Sequence, residues 1–514
     1  MRVSITKSKN FEFVYIIKDF YNNKSRTTKI YEKLGTMDYL CKEKNMSRDE
    51  VISWAKSYAK QLTIKEKNDN CDTIIPFSPD KIIERDAERK FNCGYLFLQN
   101  IYYNLRLDNI CRNIKNKYKF DFDINAILSD LIYSRILCPS SKLSSFDYSS
   151  TLLESPKYEL HHIYRALSVL FKESDYIQAE LYKNSHFIKN RDTSTLYYDC
   201  TNYYFEIEDD DDFRKYGKSK ENRPNPIVGM GLMMDGDGIP LAFDVYEGNK
   251  NEQVSLKPLE ERIIKDFELS KFIYCSDAGL ASKKNKKFNN IQNRAYIITQ
   301  SLKKLKKDDQ EIALKHTGFL EAGSQSTKRI NIDDIDFTDE INKNRLFYKE
   351  IPLESPVEER LIVTYSPKYA AYQKNIRNKQ ILRASNMIQT NGKLKKNQKN
   401  PNDPARFIEK ITTDKDGEVI EEYYSLDQEK IKDESMYDGF YAVTTNLEDE
   451  DVKAIIKISE RRWQIEECFR IMKTDFKARP VYLQNRDRIE AHFLTCFISL
   501  IIYRLLATLI KCCF

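Results

Sequence analysis

Leu196-Tyr197-Tyr198-Asp199-Cys200-Thr201-Asn202-Tyr203-Tyr204-Phe205 is a run of strand formers with one carboxylate at its middle. Aromatic and β-branched residues suit a pleated, half-buried surface. An aspartate among them is costly unless it is paired or ligates a metal ion. Turn residues then divide the chain beyond it. Ile227 to Met234 reads as a second strand, and Gly236-Asp237-Gly238 turns it into a third, Ile239 to Tyr246, which ends at Gly248-Asn249. A helix from about Gln253 to Phe267 comes next. Phe272-Ile273-Tyr274-Cys275 is a fourth strand, ending at Asp277-Ala278-Gly279, and Phe440 to Thr444 is a late fifth.

Three strands joined by tight turns, then a helix, then a strand flanked by helices is the order of an RNase H-like core. The expected class is α/β: an RNase H-like mixed sheet with flanking helices, interrupted by a β-rich insertion and preceded by a mainly α-helical N-terminal region. Residues 1–85 read as a hairpin, a helix and a linker, and 86–190 as an all-α region. The core takes 191–300 and 439–514, and the insertion takes 301–438.

In the N-terminal part, Phe11 to Ile17 is strand-like, Asn22-Asn23 makes a turn, and Thr27 to Tyr31 returns. Ser47 with Glu50 is a capping box, followed by Val51, Trp54, Ala55 and Tyr58 at helical spacing. Lys65 to Asp80 reads as a polar linker. Ile124, Ile127, Leu128, Leu131, Ile132 and Ile136 mark one helix, stopped by Pro139, and Tyr164, Leu167, Leu170 and Phe171 mark another. The insertion holds short strand-like runs at Phe347 to Ile351, Leu361 to Tyr365 and Tyr423-Tyr424. It also carries a basic arm: from Ala371 to Lys410 there are ten Lys or Arg against Asp403 and Glu409. Such an arm is either a charged loop or a phosphate-contacting surface. The acidic run Glu206 to Asp212 reads as a solvated loop between strands.

Ile458 to Lys473 reads as one amphipathic helix. Ile458, Ile465, Phe469, Met472 and Phe476 share a narrow apolar stripe. Arg462, Glu466 and Lys473 share the stripe beside it, while Glu467 points away. Phe493 to Ile510 is apolar almost throughout and is about the length that a bilayer needs. With Arg504 inside it and an amphipathic helix just before it, it reads as a buried packing helix rather than an anchor, so no membrane is expected.

Of 514 residues, 41% are hydrophobic and 32% charged, which fits an ordinary chain with real cores. The eleven cysteines are scattered without a C-x-x-C pair, which speaks against a zinc ribbon or a disulfide framework and for a reducing cytoplasm. The N-terminus lacks the apolar stretch of a signal peptide. There is no P-loop or G-x-G-x-x-G, and the five histidines show no ligand spacing.

Three acids stand at meaningful places: Asp199 within the first strand, Asp277 at the end of the fourth, and Glu466 on the late helix. In an RNase H-like sheet the first and fourth strands are neighbours and a C-terminal helix crosses them, so the three would meet. Phosphodiester chemistry needs an activated water or hydroxyl and a neutralised leaving oxygen, and two Mg²⁺ ions about 3.5–4 Å apart supply both. Mg²⁺ prefers carboxylate oxygens, with Mn²⁺ as a substitute. Arg462 and Lys473 suit DNA phosphate contacts near Glu466.

The spacing Arg462-x3-Glu466-x6-Lys473 is similar to the Tyr-Arg-Glu-Lys signature of bacterial insertion-sequence transposases with a DDE catalytic triad. Asp199-Cys200-Thr201, Tyr216-Gly217-Lys218-Ser219-Lys220, Gly238-Ile239-Pro240-Leu241, Gly248-Asn249, Asp277-Ala278-Gly279-Leu280 and Arg462-Trp463-Gln464-Ile465-Glu466 also resemble that group, in order, from about Asp199 to His492. The resemblance implies that Asp199, Asp277 and Glu466 are the metal-binding catalytic acids, and that Arg462 and Lys473 contact DNA. It implies Mg²⁺-dependent cleavage at element ends, transfer of the 3′-OH strand into target DNA, and a homodimer on paired inverted repeats in the cytoplasm, at the nucleoid. A hairpin intermediate is associated with this group. Two features depart from it. Ser459 stands at the signature's Tyr position, and the chain stops at Lys511-Cys512-Cys513-Phe514, soon after the apolar helix, where relatives often continue. Both point to the alternative of a catalytically inactive, transposase-derived DNA-binding protein.

Overall fold

A computed structural model describes residues 2–7, 12–22, 25–44, 46–69, 91–154, 156–291, 293–324, 326–353, 358–390, 402–413, 419–448 and 450–513. The chain parts into two compact units, Met1–Cys138 with Lys142–Ile163, and Pro139–Ser141 with Tyr164–Phe514. That division falls inside the helical stretch 86–190.

The first unit opens with an antiparallel sheet of β1 (Arg2–Lys7), β2 (Glu12–Asn22) and β3 (Ser25–Thr36), in which Asn22 pairs with Ser25 across the expected turn. Asn23 itself lies outside the described residues. β1 escaped the sequence reading. Helices α1 (Met37–Lys44) and α2 (Arg48–Asp69) come after it. The capping box forms: Ser47 N–H donates to Glu50 at 2.7 Å, and Glu50 N–H donates to Ser47 Oγ at 3.4 Å. Val51 and Ala55 bury one face of α2 against Val14, Met37 and Leu40. α2 runs through the start of the stretch read as a linker, whose residues 70–80 lie outside the described residues. α3 (Tyr95–Asn104), α4 (Leu107–Lys117), α5 (Ile124–Leu137) and α6 (Lys142–Ser149) complete this unit, and α7 (Leu160–Lys172) spans the division. Asp123 caps α5 by accepting from the N–H groups of Asn125 and Ala126.

The second unit continues with α8 (Ser174–Ser185), β4 (Thr195–Tyr204), β5 (Ile227–Met234), β6 (Pro240–Glu247), α9 (Glu252–Asp266), β7 (Phe272–Ser276), α10 (Lys283–Phe288) and β8 (Arg294–Thr299). The expected strands and helix stand within a residue or two of their predicted bounds. β8 was not foreseen, because its apolar signal is only Tyr296-Ile297-Ile298 between polar flanks. Next come α11 (Lys307–Leu314), β9 (Leu320–Glu321), α12 (Glu340–Lys343), β10 (Phe347–Pro352), β11 (Arg360–Tyr365), α13 (Pro367–Gln389), β12 (Ile408–Thr413), β13 (Val419–Leu426), α14 (Gln428–Ser435) and β14 (Phe440–Thr445).

Among the described residues nine strands form one mixed sheet, in the order β6-β5-β4-β7-β8-β14-β11-β10-β9. β4 is antiparallel to β5 and parallel to β7, with Leu196 opposite Tyr274, and β7 is parallel to β8. Three insertion strands therefore widen this sheet through the β11–β14 pairing instead of standing apart. The basic arm also differs from a loop. Its first half is α13, which packs Ala384 against Phe407 and ties Arg377 to Asp438 at 2.5 Å. Residues 391–401, with four of its lysines, lie outside the described residues. The acidic run is a turn in which Asp211 caps the N–H groups of Phe213 and Arg214 and pairs with Arg214.

Residues along a strand alternate between faces. Leu196, Tyr198 and Cys200 of β4 pack with Leu256, Leu259 and Ile263 of α9. Tyr197, Asp199 and Tyr203 take the opposite face, where the C-terminal helices lie: Tyr197 Oη donates to the Ile458 carbonyl at 2.9 Å. The single late helix of the sequence reading is in fact interrupted. α15 (Val452–Glu460) ends at a turn through Arg461 and Arg462, α16 (Trp463–Arg470) resumes, and Ile471–Asp475 forms a π-turn. Finally α17 (Arg486–Cys513) lays its apolar residues on the sheet, with Phe493 against Tyr203 and Phe497 against Phe243. It has the length and composition to cross a bilayer, yet Phe493, Leu494, Phe497, Ile498, Leu500, Ile501 and Ile502 are buried.

Candidate active site

Asp199 is carried into the middle of the unit by β4, and its carboxylate accepts the Cys200 N–H at 2.7 Å. The chain leaves β7 at Ser276, and the next residue, Asp277, caps a single 3-10 turn by accepting the Gly279 N–H at 3.0 Å. Because β4 and β7 are paired and parallel, their C-terminal halves present these two acids side by side.

Electrostatics record the juxtaposition. Burial lifts the Asp199 carboxyl to about 6; Lys220 opposes the rise, the Asp277 charge adds to it, and the Cys200 N–H and Arg462 oppose it further. A carboxylate that is both desolvated and beside a second carboxylate is poised to accept a cation. Lys220 answers part of that need. Burial pulls its ammonium down, but Asp199 and Glu252 outweigh the burial and raise it. Its Nζ lies 3.1 Å from Glu252 and donates to the Cys200 carbonyl. Lys220 belongs to the Tyr216–Lys220 motif, but sequence reasoning gave it no role.

Glu466 is placed differently from the expectation. It is exposed on α16, and its carboxylate is held 3.2 Å from Arg462 Nη1, one turn earlier. Arg462 in turn lies close enough to Asp199 to favour its charged form. The guanidinium therefore neighbours both Glu466 and Asp199. Among the described residues no three His, Cys, Asp or Glu side chains are grouped to hold an ion. Of the three expected acids, neighbouring parallel strands bring Asp199 and Asp277 together, and Glu466 is paired with Arg462.

Lys473 lies within the π-turn itself. It faces Glu221 at 3.3 Å, and burial followed by the nearby Lys220 charge lowers its ammonium to about 8, against the pull of Asp199. Arg462 and Lys473 thus both neighbour Asp199. Ser459 is buried, and its hydroxyl is 3.0 Å from the Tyr441 hydroxyl of β14. An aromatic ring at that position would have to displace this contact. Trp463 is exposed, against the core position expected of a tryptophan.

A family model described as "Transposase DDE domain" matches residues 186–502, which takes in all three acids, Arg462 and Lys473. The chain belongs to this transposase family. No curated protein matches it. Among solved structures, the transposase is similar to a piggyBac transposase in a synaptic complex with hairpin DNA, at 9% identity and a TM-score of 0.37, over 81% of this chain and 74% of that one. It is also similar to the Mos1 transposase in a paired-end complex with the left transposon end, at 10% identity and a TM-score of 0.15, over 47% of this chain and 66% of that one.

Proposed function

We propose that this transposase binds the inverted repeats of a bacterial insertion sequence, cleaves the DNA there with divalent metal, and transfers the exposed 3′-OH strand into target DNA. The observation that carries the reading is the Asp199–Asp277 pair on neighbouring parallel strands, inside the span matched by the family. The proposal adopts an RNase H-like fold for the catalytic part, and a sheet order of three antiparallel strands followed by parallel ones supports it.

The donor set fits a hard cation. Two carboxylates, one of them desolvated, would hold Mg²⁺ or Mn²⁺, and Glu466 would join them as the third ligand once Arg462 turns to a DNA phosphate. Bound there, two such ions supply activation of the attacking oxygen and neutralisation of the leaving one. The chain's own groups do the rest. Arg462 and Lys473 hold the backbone next to the acids. Lys220 keeps Asp199 ionised until the cation arrives. The working unit is a homodimer on paired ends, in the cytoplasm at the nucleoid.

A second reading, a DNA-binding protein that does not cleave, is favoured by the Arg462–Glu466 ion pair, which withholds the third acid. Incubation of a supercoiled plasmid carrying both element ends with Mg²⁺ separates the two. The first reading expects nicking at the ends by the native chain. Asp199→Ala should lose cleavage by several orders of magnitude and keep its DNA affinity. Cleavage by Asp199→Ala at the native rate would remove the assigned role, and binding without any cleavage by the native chain would favour the second reading.

A further inference from the structure

Glu221 lies in the connection between β4 and β5, and three cations converge on it. Lys473 Nζ is 3.3 Å from its carboxylate, Arg223 Nε is 3.9 Å away, and Arg479 forms a close ion pair with it. Each cation also rests on an aromatic ring at the end of β4. Arg223 lies 4.1 Å over Tyr204, Arg479 lies 5.7 Å over the same ring, and Lys473 lies 5.4 Å over Tyr203. These rings are four and five residues beyond Asp199 on the same strand.

Three positive charges against one carboxylate leave a local excess along the strand that carries Asp199, and Lys473 links it to that acid. An ion pair that served folding alone would need one cation, and holding two more beside it costs mutual repulsion. What such an arrangement suits is a phosphodiester. That group carries the same single charge as a carboxylate, with two free oxygens that guanidinium forks and an ammonium can share. The aromatic rings of Tyr203 and Tyr204 hold these cations in place by cation–π attraction.

We propose that Arg223, Arg479 and Lys473 form the seat of one DNA backbone phosphate beside the Asp199–Asp277 pair, and that Glu221 fills this seat in the free protein and is displaced by the phosphate. The proposal rests on the DNA-binding reading above and adds to it two arginines and an internal carboxylate that competes with the substrate. The exchange is isoelectric, so the local charge is the same in both states. The seat selects for DNA backbone and not for sequence.

The test is metal-free binding of fluorescent duplexes, one carrying an element end and one of arbitrary sequence, by the full chain across a range of salt. Glu221→Gln should bind both duplexes on the order of tenfold more tightly, since a competing charge is gone. Arg223→Ala and Arg479→Ala should weaken both alike, and each should lower the slope of log affinity against log salt by about 0.9. With both arginines removed, the gain from Glu221→Gln should disappear. A Glu221→Gln protein with an unchanged melting midpoint and unchanged or weaker binding would overturn the proposal. Unaltered salt slopes in the arginine variants would do so too, and they decide the matter by themselves if Glu221→Gln folds poorly. If the native chain binds neither duplex, it is the DNA-binding reading that fails, a result distinct from native binding with indifferent variants.

Discussion

At the residue scale, the acid pair is held at a cost that pH can expose. The folded-state pKa of Asp199 is raised from 3.8 to about 6, with burial as the leading cause. Between those values the folded chain binds more protons than the unfolded one, so stability falls as pH rises through that window. Above it the full cost is present, roughly 1–3 kcal/mol at 1.36 kcal/mol per unit. Asp199→Asn removes the charge and should therefore melt higher than the native chain at pH 8, with the gap closing toward pH 4. Thermal unfolding at the two pH values measures it, and a gap that is constant with pH would contradict the burial argument. Asp199 and Asp277 were legible in the sequence because each sits in a local pattern, one amid strand formers and the other between a strand and Ala-Gly. Glu221 was not, because its contact with Lys473 joins residues 252 apart and no local pattern announces it. The hold of Arg462 on Glu466 was half legible. Their four-residue spacing put them side by side, but whether the pair stays closed depends on what surrounds it.

At the element scale, the strands around the acids and the helix α9 were readable because glycine turns bracket runs of strand formers. The late helix misled, and the reason is geometric. Arg461 and Arg462 keep helical backbone angles (φ −66°, ψ −11° and φ −55°, ψ −26°) while the hydrogen-bond ladder changes register. An apolar stripe survives such a break: Ile465, Phe469, Met472 and Phe476 are all buried. α17 posed the opposite problem, since composition alone suits a bilayer and a core equally well. Gly238 shows how closely the late helices pack. With φ at +79° and a Cβ position that meets the ends of the Gln464 and Arg504 side chains, a larger residue would strain that turn. Arg504, the one charge within the apolar run, donates to the Gly238 carbonyl at 2.8 Å and so has a place inside the fold. Phe497 is fully buried against Phe243. Phe497→Ala should therefore cost about 3–5 kcal/mol in denaturant unfolding. An unchanged midpoint would mean that α17 does not belong to this core.

At the scale of the whole molecule, the chemistry proposed for one acid pair acts on one scissile phosphate at a time, whereas excising an element requires two ends. One chain supplies one Asp199–Asp277 pair, so concerted excision calls for two chains, each on its own end. If catalysis waits for both ends to be brought together, a plasmid with two inverted repeats in their natural orientation should be cut far faster than one carrying a single repeat, although the affinity for each repeat is the same. The proposed function expects such repeats to flank the coding region, bounded by a short target duplication. The comparison is made at equal protein and Mg²⁺ concentration, with linear product counted by gel, and Asp277→Asn should be inert on both plasmids while it still binds. Equal cutting of one-ended and two-ended plasmids would show that each chain works alone. The pairing of ends would then lie outside this protein's own assembly, while the roles assigned to Asp199 and Asp277 would stand on the variant alone.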